Sequence, residues 1–306
     1  MEPARIARPL PGLRLLFAAA SVLVILAGTQ LFVFTERTDD FFAWTIASPL
    51  TAAVDGAFFL TAVVLFVPAV RAATWAEVRP LVGAVAVVVT VKLAATLLDL
   101  EPFHFEGPGT AAQVAAWGWL AVYIVVPVAL AGLIVAQLRA GGVDPEPGPP
   151  LPRVLGGAFV VLAVAMFAIG ALQLFASGVA ADIWPWPLSP LTSHALSAWF
   201  LGIAVLAGLT VRENALPRSR SVIVGTAVLG VLLAMALARY ESELQWERAM
   251  AWLFVALIVT LIFVGAYGLR SLLGLQRQPA KALGSPPVAV AEQRHQRRDE
   301  QRPHDR

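Results

Sequence analysis

Asp55 and Lys92 are the clearest charged residues inside long apolar stretches of this chain, and they are the first candidates for chemistry. Asp55 follows Ser48 by seven residues, and Lys92 precedes Asp99 by seven residues on the next stretch. A short loop joins the two stretches, so we expect antiparallel neighbouring helices with both charges about 10 Å from the same surface. Placing such a charge inside a lipid bilayer costs about 3 kcal/mol or more of free energy. A charged residue at this depth therefore usually has a function or pairs with an opposite charge. The spacing therefore predicts an Asp55–Lys92 ion pair.

Polar residues extend this pair along one face of each predicted helix. Thr51 and Asp55 are four residues apart, and Lys92, Thr96 and Asp99 share a face at spacings of four and seven residues. We expect the two stripes to meet in a polar cleft that opens at the outer surface and takes a ligand, an ion or a proton. The alternatives are a structural pair that fastens two helices, or a lysine that reaches the surface alone along its aliphatic stem.

Two histidines near the same surface are weak candidates for a metal or b-haem site. His104 lies in a loop with Glu101 and Glu106, and His194 lies one turn inside the sixth apolar stretch. Imidazole and carboxylate are ordinary metal ligands, but the chain has no HxxxH or HExxH spacing. It also has no cysteine and no GxSxG, Walker or dinucleotide-binding motif. We therefore predict no cofactor.

Eight apolar segments position these residues. Hydrophobic residues make up 58% of the chain and charged residues 14%, where a soluble domain carries about a quarter charged. Each segment is long enough to cross a hydrocarbon core of about 30 Å, and backbone amides in lipid must bond within their own helix. The sequence predicts an all-α integral membrane protein with eight transmembrane helices: Leu15–Phe34, Pro49–Val70, Pro80–Leu98, Ala112–Leu138, Val154–Ala176, Pro190–Val211, Ser221–Ala238 and Ala249–Leu269.

The distribution of basic residues predicts the orientation. With both termini in the cytoplasm, the inner loops and tails hold most of the 22 Lys and Arg residues, and the outer loops hold only Arg37, Arg239 and Arg248. Positively charged loop residues are retained on the cytoplasmic side. We therefore expect a protein of the bacterial inner membrane with both termini cytoplasmic. The basic character reflects this orientation and gives no reason to expect nucleic-acid binding.

The motif Ser-Pro-Leu-Thr occurs twice, at Ser48–Thr51 and Ser189–Thr192, with an offset of 141 residues. Its serine suits a helix N-cap and its proline the first helical position, so each copy is expected to begin a helix at the outer surface. Arg71 falls on Arg212 at the same offset. We therefore predict two parallel four-helix repeats.

The candidate site interrupts this repeat. At the same offset Asp55 falls on Leu196 and Lys92 falls on Leu233. The halves are thus expected to share a scaffold and to differ where charge lies inside it.

A tryptophan precedes each copy of the motif, Trp44 in the first half and Trp186 in the second. Most of the 9 tryptophans fall in outer loops or outer helix ends. An interfacial aromatic belt is one interpretation, although belts normally occupy both interfaces. The alternative is a stacking surface for a ligand, so Trp44, Trp186 and His194 join the residues of the candidate cleft.

The predicted organisation has four parts. Residues 1–139 form the first four-helix repeat and residues 154–274 the second. Residues 140–153 are rich in proline and glycine and are expected to be a cytoplasmic linker. Residues 275–306 are expected to be a disordered cytoplasmic tail that contacts anionic lipid headgroups through its basic residues.

Three short stretches resemble a group of conserved but uncharacterised polytopic membrane proteins of actinobacterial type. The stretches are FFAWTIASPLTAA at 41–53, AWGWLAVYIVVP at 116–127 and WPWPLSPLT at 184–192. The resemblance covers the eight-helix region loosely and implies no activity, cofactor or catalytic residues.

The sequence therefore favours a non-enzymatic multi-pass protein whose surroundings are the lipid bilayer. We expect a transporter or binding component with an outward-facing cleft at Asp55 and Lys92. One alternative is a structural or assembly subunit of a membrane complex, in which the ion pair serves packing only. The other is an outward-facing membrane enzyme or a haem or metal protein.

Overall fold

A computed structural model describes residues 5–107 and 109–277 of the chain. Eight of its helices are long and apolar enough to cross a membrane. This confirms the prediction of an all-helical, multi-pass membrane protein. The helices are α1 (Pro11–Val33), α2 (Pro49–Arg71), α3 (Trp75–Leu98), α4 (Thr110–Arg139), α5 (Arg153–Phe175), α6 (Pro190–Glu213), α7 (Arg220–Arg239) and α8 (Ala249–Arg277).

Short helical elements occupy the loops at one end of these helices. They are the 3₁₀ turns Thr35–Arg37 and Glu241–Glu243 and the short helices Thr38–Phe41 and Ser177–Ile183. Helix α8 continues past the predicted end of the eighth segment to Arg277. Residues 278–306, the greater part of the predicted tail, lie outside the described residues.

Both copies of the repeated motif begin a long helix, as predicted. The Ser48 side chain accepts a hydrogen bond from the Thr51 amide, and the Ser189 side chain accepts one from the Thr192 amide. The proline after each serine stands at the first helical position, where its missing N–H is no loss. We call this end of the molecule the Ser48 end and the opposite one, where α2 finishes, the Arg71 end.

The eight helices pack as two rows of four helices, which we call the two bundles and which do not coincide with the halves of the sequence. The first bundle contains α1, α2, α7 and α8, packed in that order, and the second contains α4, α3, α6 and α5 in that order. Helices of different bundles approach each other at few positions. Helices α2 and α3 are antiparallel and face each other, as the Asp55–Lys92 contact shows, but their backbones come close at few positions. The reason is that α2 is held by α1 and α7, whereas α3 is held by α4 and α6.

Glycines allow the closest helix contacts inside the first bundle. A Cβ atom added at Gly56 of α2 would lie 2.6 Å from the Phe32 amide nitrogen of α1. One added at Gly265 of α8 would lie 2.7 Å from the Ala227 amide nitrogen of α7. Both distances are far below van der Waals contact, so the helix backbones touch at these points, as is common for small residues in membrane proteins.

The segment between α4 and α5 lies against the Arg71 end without forming a helix. Its Asp144 carboxylate accepts a hydrogen bond from Arg79 of α3 at 2.6 Å. Its Pro149 carbonyl accepts one from the Leu216 amide, between α6 and α7, at 2.9 Å. The segment predicted as a Pro/Gly linker is therefore fastened to two other parts of the chain.

Candidate functional site

Asp55 and Lys92 meet between the two bundles, as their predicted depths require. Lys92 Nζ lies 3.5 Å from Asp55 Oδ1. The aspartate is 2% exposed and the lysine 0% exposed, so both charges are withdrawn from solvent. Asp55 belongs to α2 of the first bundle and Lys92 to α3 of the second. The ion pair therefore links the two bundles, whose helix backbones come close to each other at few positions.

Three aromatic rings surround the Lys92 ammonium. Its Nζ atom lies 5.3 Å from the ring centroid of Phe59, 5.1 Å from that of Trp119 and 5.0 Å from that of Trp199. These distances lie within the range of about 6 Å for cation–π attraction. The ammonium makes no hydrogen bond to the described residues. We call Asp55, Phe59, Trp119 and Trp199 the cage.

Hydrogen bonds and ring contacts hold the cage in place without using the lysine. Trp199 Nε1 donates to Asp55 Oδ1 at 2.6 Å. Trp119 Nε1 donates to Thr96 Oγ1 at 2.9 Å. The Phe59 ring packs edge-on against the Trp199 ring, with 4.9 Å between their centroids. The carboxylate and the rings of the cage therefore have fixed positions of their own.

Contacts between the bundles close the Ser48 end of the site. Trp186 Nε1 donates to Thr51 Oγ1 at 2.7 Å, and the Trp186 ring packs against Phe254 of α8 with 5.0 Å between centroids. The Trp44 ring packs edge-on against that of Trp119 at 4.9 Å. Both Trp44 and Trp186 are buried. Thr51 and Thr96 of the predicted polar stripes are buried as well, whereas the Asp99 side chain at their outer end is 23% exposed. The two tryptophans predicted to line an open cleft thus lie inside the protein in this structure.

The predicted site residues His194 and Asp99 pair with each other at the same end. His194 Nδ1 lies 2.6 Å from Asp99 Oδ2. His104, the other weak metal candidate, bonds elsewhere: its Nε2 to Thr45 Oγ1 and its Nδ1 to the Phe42 carbonyl, each at 3.0 Å. Across the described part of the chain, no group of three or more His, Asp or Glu side chains is placed to hold a metal ion. The two histidines therefore bond to different partners and do not share one site.

A cavity of about 490 Å³ lies between the bundles at the Arg71 end. Helices α2 and α7 with the loop before α7 line one side, and α3 lines the other. Val64 is the lining residue of α2 nearest to Asp55, nine residues or about 14 Å along the helix. Most of the lining is apolar, and its polar side chains are Glu77, Arg218, Arg220 and Ser221. The sequence did not predict this cavity.

Three residues of the cage are missing from the site predicted from the sequence. Phe59 lies one helical turn after Asp55 and so shares its face. Trp199 lies in the middle of an apolar segment, where its buried indole N–H needs a hydrogen-bond acceptor. Asp55 is the acidic residue inside a predicted span and was therefore the available acceptor. Trp119 gave no such signal, because it reaches the lysine from α4 through tertiary packing alone.

Replacing Trp199 with Phe should lower the melting temperature, because it keeps an aromatic ring but removes the N–H that binds Asp55 Oδ1 at 2.6 Å. Loss of a hydrogen bond to a charged group costs about 1.5 to 3 kcal/mol. Thermal unfolding of purified protein, followed by circular dichroism, measures the effect. The matched control is Trp252→Phe, which removes an indole N–H that bonds the Trp246 carbonyl on the exposed surface. Equal melting temperatures for the two variants would contradict a supporting role of Trp199 at Asp55.

Comparisons with known proteins find no matching protein-family model, no matching curated protein and no matching solved structure.

Proposed function

We propose that this protein is a membrane transporter whose substrate site is the region between the two bundles where Asp55 and Lys92 meet. The observation that carries the proposal is the complete burial of this pair inside candidate membrane-spanning helices. Two charges in such a place are costly, and replacing a buried pair by apolar residues is often neutral or stabilising. The positions 141 residues further on, Leu196 and Leu233, are apolar and buried. Helix packing at such positions therefore needs no charge.

The placement of closed and open regions supports the same function. Transporters bind their substrate between two helical units that expose the site to one side of the membrane at a time. Here Trp44 and Trp186 cover the cage at the Ser48 end, whereas the cavity of about 490 Å³ separates the bundles at the Arg71 end. This arrangement is the one expected of a transporter closed towards the Ser48 end.

We also propose that residues of the two sequence halves form a parallel repeat of two four-helix units. The protein lies in the inner membrane, with both termini and the Arg71 end in the cytoplasm. Helices α1 and α5 have the same length of 23 residues, and α2 and α6 begin with the same N-cap. Helix α2 packs against α1 and α7, and its counterpart α6 packs against α5 and α3. These equivalent contacts favour an internal repeat, and the positively charged loops favour the orientation.

Transport by purified protein in liposomes tests the proposal, and Asp55→Asn is the informative variant. The probes are trimethylammonium, acetate, glycine betaine and glucose, which sample cationic, anionic, zwitterionic and neutral solutes. We expect the unmodified protein to move at least one of them above the rate of protein-free liposomes. Asp55→Asn should lower that rate by tenfold or more, since it removes the negative charge of the site.

Asp40→Asn is the matched control, because it neutralises an exposed carboxylate whose salt bridge with Arg37 lies on the surface. Its rate should equal that of the unmodified protein. Transport of no probe, or equal rates for Asp55→Asn and Asp40→Asn, would contradict the proposal.

A further inference from the structure

The cage is built for a cation. Phe59 of α2, Trp119 of α4 and Trp199 of α6 all come within 5.3 Å of the Lys92 Nζ atom, measured to their ring centroids. The Asp55 carboxylate lies beside them, 3.5 Å from the same nitrogen. Aromatic faces combined with one carboxylate are the arrangement by which proteins recognise organic ammonium ions.

The cage offers an ammonium little besides charge and ring faces. An ammonium group of lysine carries three N–H donors, yet Nζ forms no hydrogen bond with the described residues. Asp55 Oδ1 is engaged by Trp199 at 2.6 Å. A site made of three ring faces and one carboxylate oxygen at 3.5 Å suits an ammonium most of whose hydrogens are replaced by methyl groups. Such a cation gives up fewer hydrogen bonds to water when it enters the site than a lysine-type ammonium with three N–H donors does.

We propose that the cage is a binding site for small organic ammonium ions, and that Lys92 occupies it as a tethered substitute for the ligand in the closed state described above. The inference rests on the proposed transport function and names its substrate class. An incoming ammonium ion displaces the Lys92 head group from the rings and takes over the charge of Asp55. When the ligand leaves, Lys92 returns and neutralises Asp55, so the site is never left with an unpaired buried carboxylate.

Binding to a Lys92→Ala variant tests the inference directly. The substitution removes the side chain beyond Cβ, and n-propylammonium replaces the removed atoms, while trimethylammonium is a methylated cation of similar size. We expect each chloride salt to raise the melting temperature of Lys92→Ala by roughly 5 °C at 100 times its Kd, with trimethylammonium effective at the lower concentration. Sodium chloride at equal ionic strength should give no such shift.

Lys92→Met is the matched control, because it fills the cage with a neutral chain of nearly the same length. Its melting temperature should not respond to either ammonium ion. The double variant Lys92→Ala with Asp55→Asn should lose the response, since the carboxylate is gone. If Lys92→Ala is recovered only when it is purified with trimethylammonium, the inference is supported. An equal response of Lys92→Met, or no recovery and no response of Lys92→Ala with either ion, overturns it.

Uptake into liposomes separates this inference from the proposed function. Asp55-dependent transport of trimethylammonium by the unmodified protein supports both. Asp55-dependent transport of acetate or glucose alone overturns the substrate class and leaves the transport function standing. An ammonium response of Lys92→Ala without transport of any probe by the unmodified protein supports the binding site and contradicts the transport function.

Discussion

Neutralising Asp55 and Lys92 together should leave the protein about as stable as the unmodified chain, whereas neutralising either alone should lower its stability. Each single variant, Asp55→Asn or Lys92→Met, leaves one buried charge without its partner, which costs about 3 to 5 kcal/mol. The double variant leaves no buried charge, and Asn at position 55 can still accept the hydrogen bond from Trp199. Unfolding by sodium dodecyl sulfate in mixed micelles gives the free energies for a double-mutant cycle.

The cycle also separates packing from function. If the pair serves packing only, the stable double variant should keep any activity of the protein. If the pair is the transport site, the double variant should fold and transport nothing. A double variant destabilised by the sum of the two single effects would show that the charges at 3.5 Å are not energetically coupled.

Gly56→Ala should destabilise the protein, while the same substitution at Gly132 should be neutral or slightly stabilising. A Cβ at Gly56 would lie 2.6 Å from the Phe32 amide nitrogen and 2.9 Å from the Leu31 carbonyl carbon, so α1 must move away from α2. Such overpacking costs about 1 to 3 kcal/mol, and Asp55, the preceding residue on α2, moves with the helix. Apart from the backbone of α4 itself and the two neighbouring residues, no atom of the described residues lies within 4 Å of the Cβ position at Gly132 of α4.

At Gly132 the expected gain is the better helix propensity of alanine, about 0.5 to 1 kcal/mol. Melting temperatures of the two variants, measured in one detergent, give the comparison. Equal shifts in the same direction would contradict the close contact between α1 and α2.

Local chemistry in the sequence was enough to predict the helices. An N-cap serine followed by proline, as at Ser48 and Ser189, sets a helix start through contacts within one turn. Segment length and composition identify the eight long helices because lipid leaves the backbone little choice of structure. These features depend on neighbouring residues only, so the sequence reveals them directly.

The site was predictable in part, because depth along a helix follows from residue counting. That counting brought Asp55 and Lys92 to one level, although it did not reveal that α2 and α3 belong to different bundles. The rings of Trp119 and Trp199 were not predictable, since they arrive from α4 and α6 and their place depends on which helices share a bundle. The cavity at the Arg71 end escaped prediction for the same reason, since its walls come from both bundles.

The division into two bundles determines where the molecule can bend. Within the described chain, the backbone crosses from one bundle to the other only at residues 72–74, between α2 and α3, and at residues 214–219, between α6 and α7. Both crossings lie at the Arg71 end, and Asn214 in the second has a left-handed backbone with φ of 44°. Two short covalent connections therefore join the bundles at the Arg71 end, and their length limits how far the cavity there could widen. At the Ser48 end only side-chain and loop contacts join the two bundles. Separating the bundles at that end would therefore stretch no covalent connection.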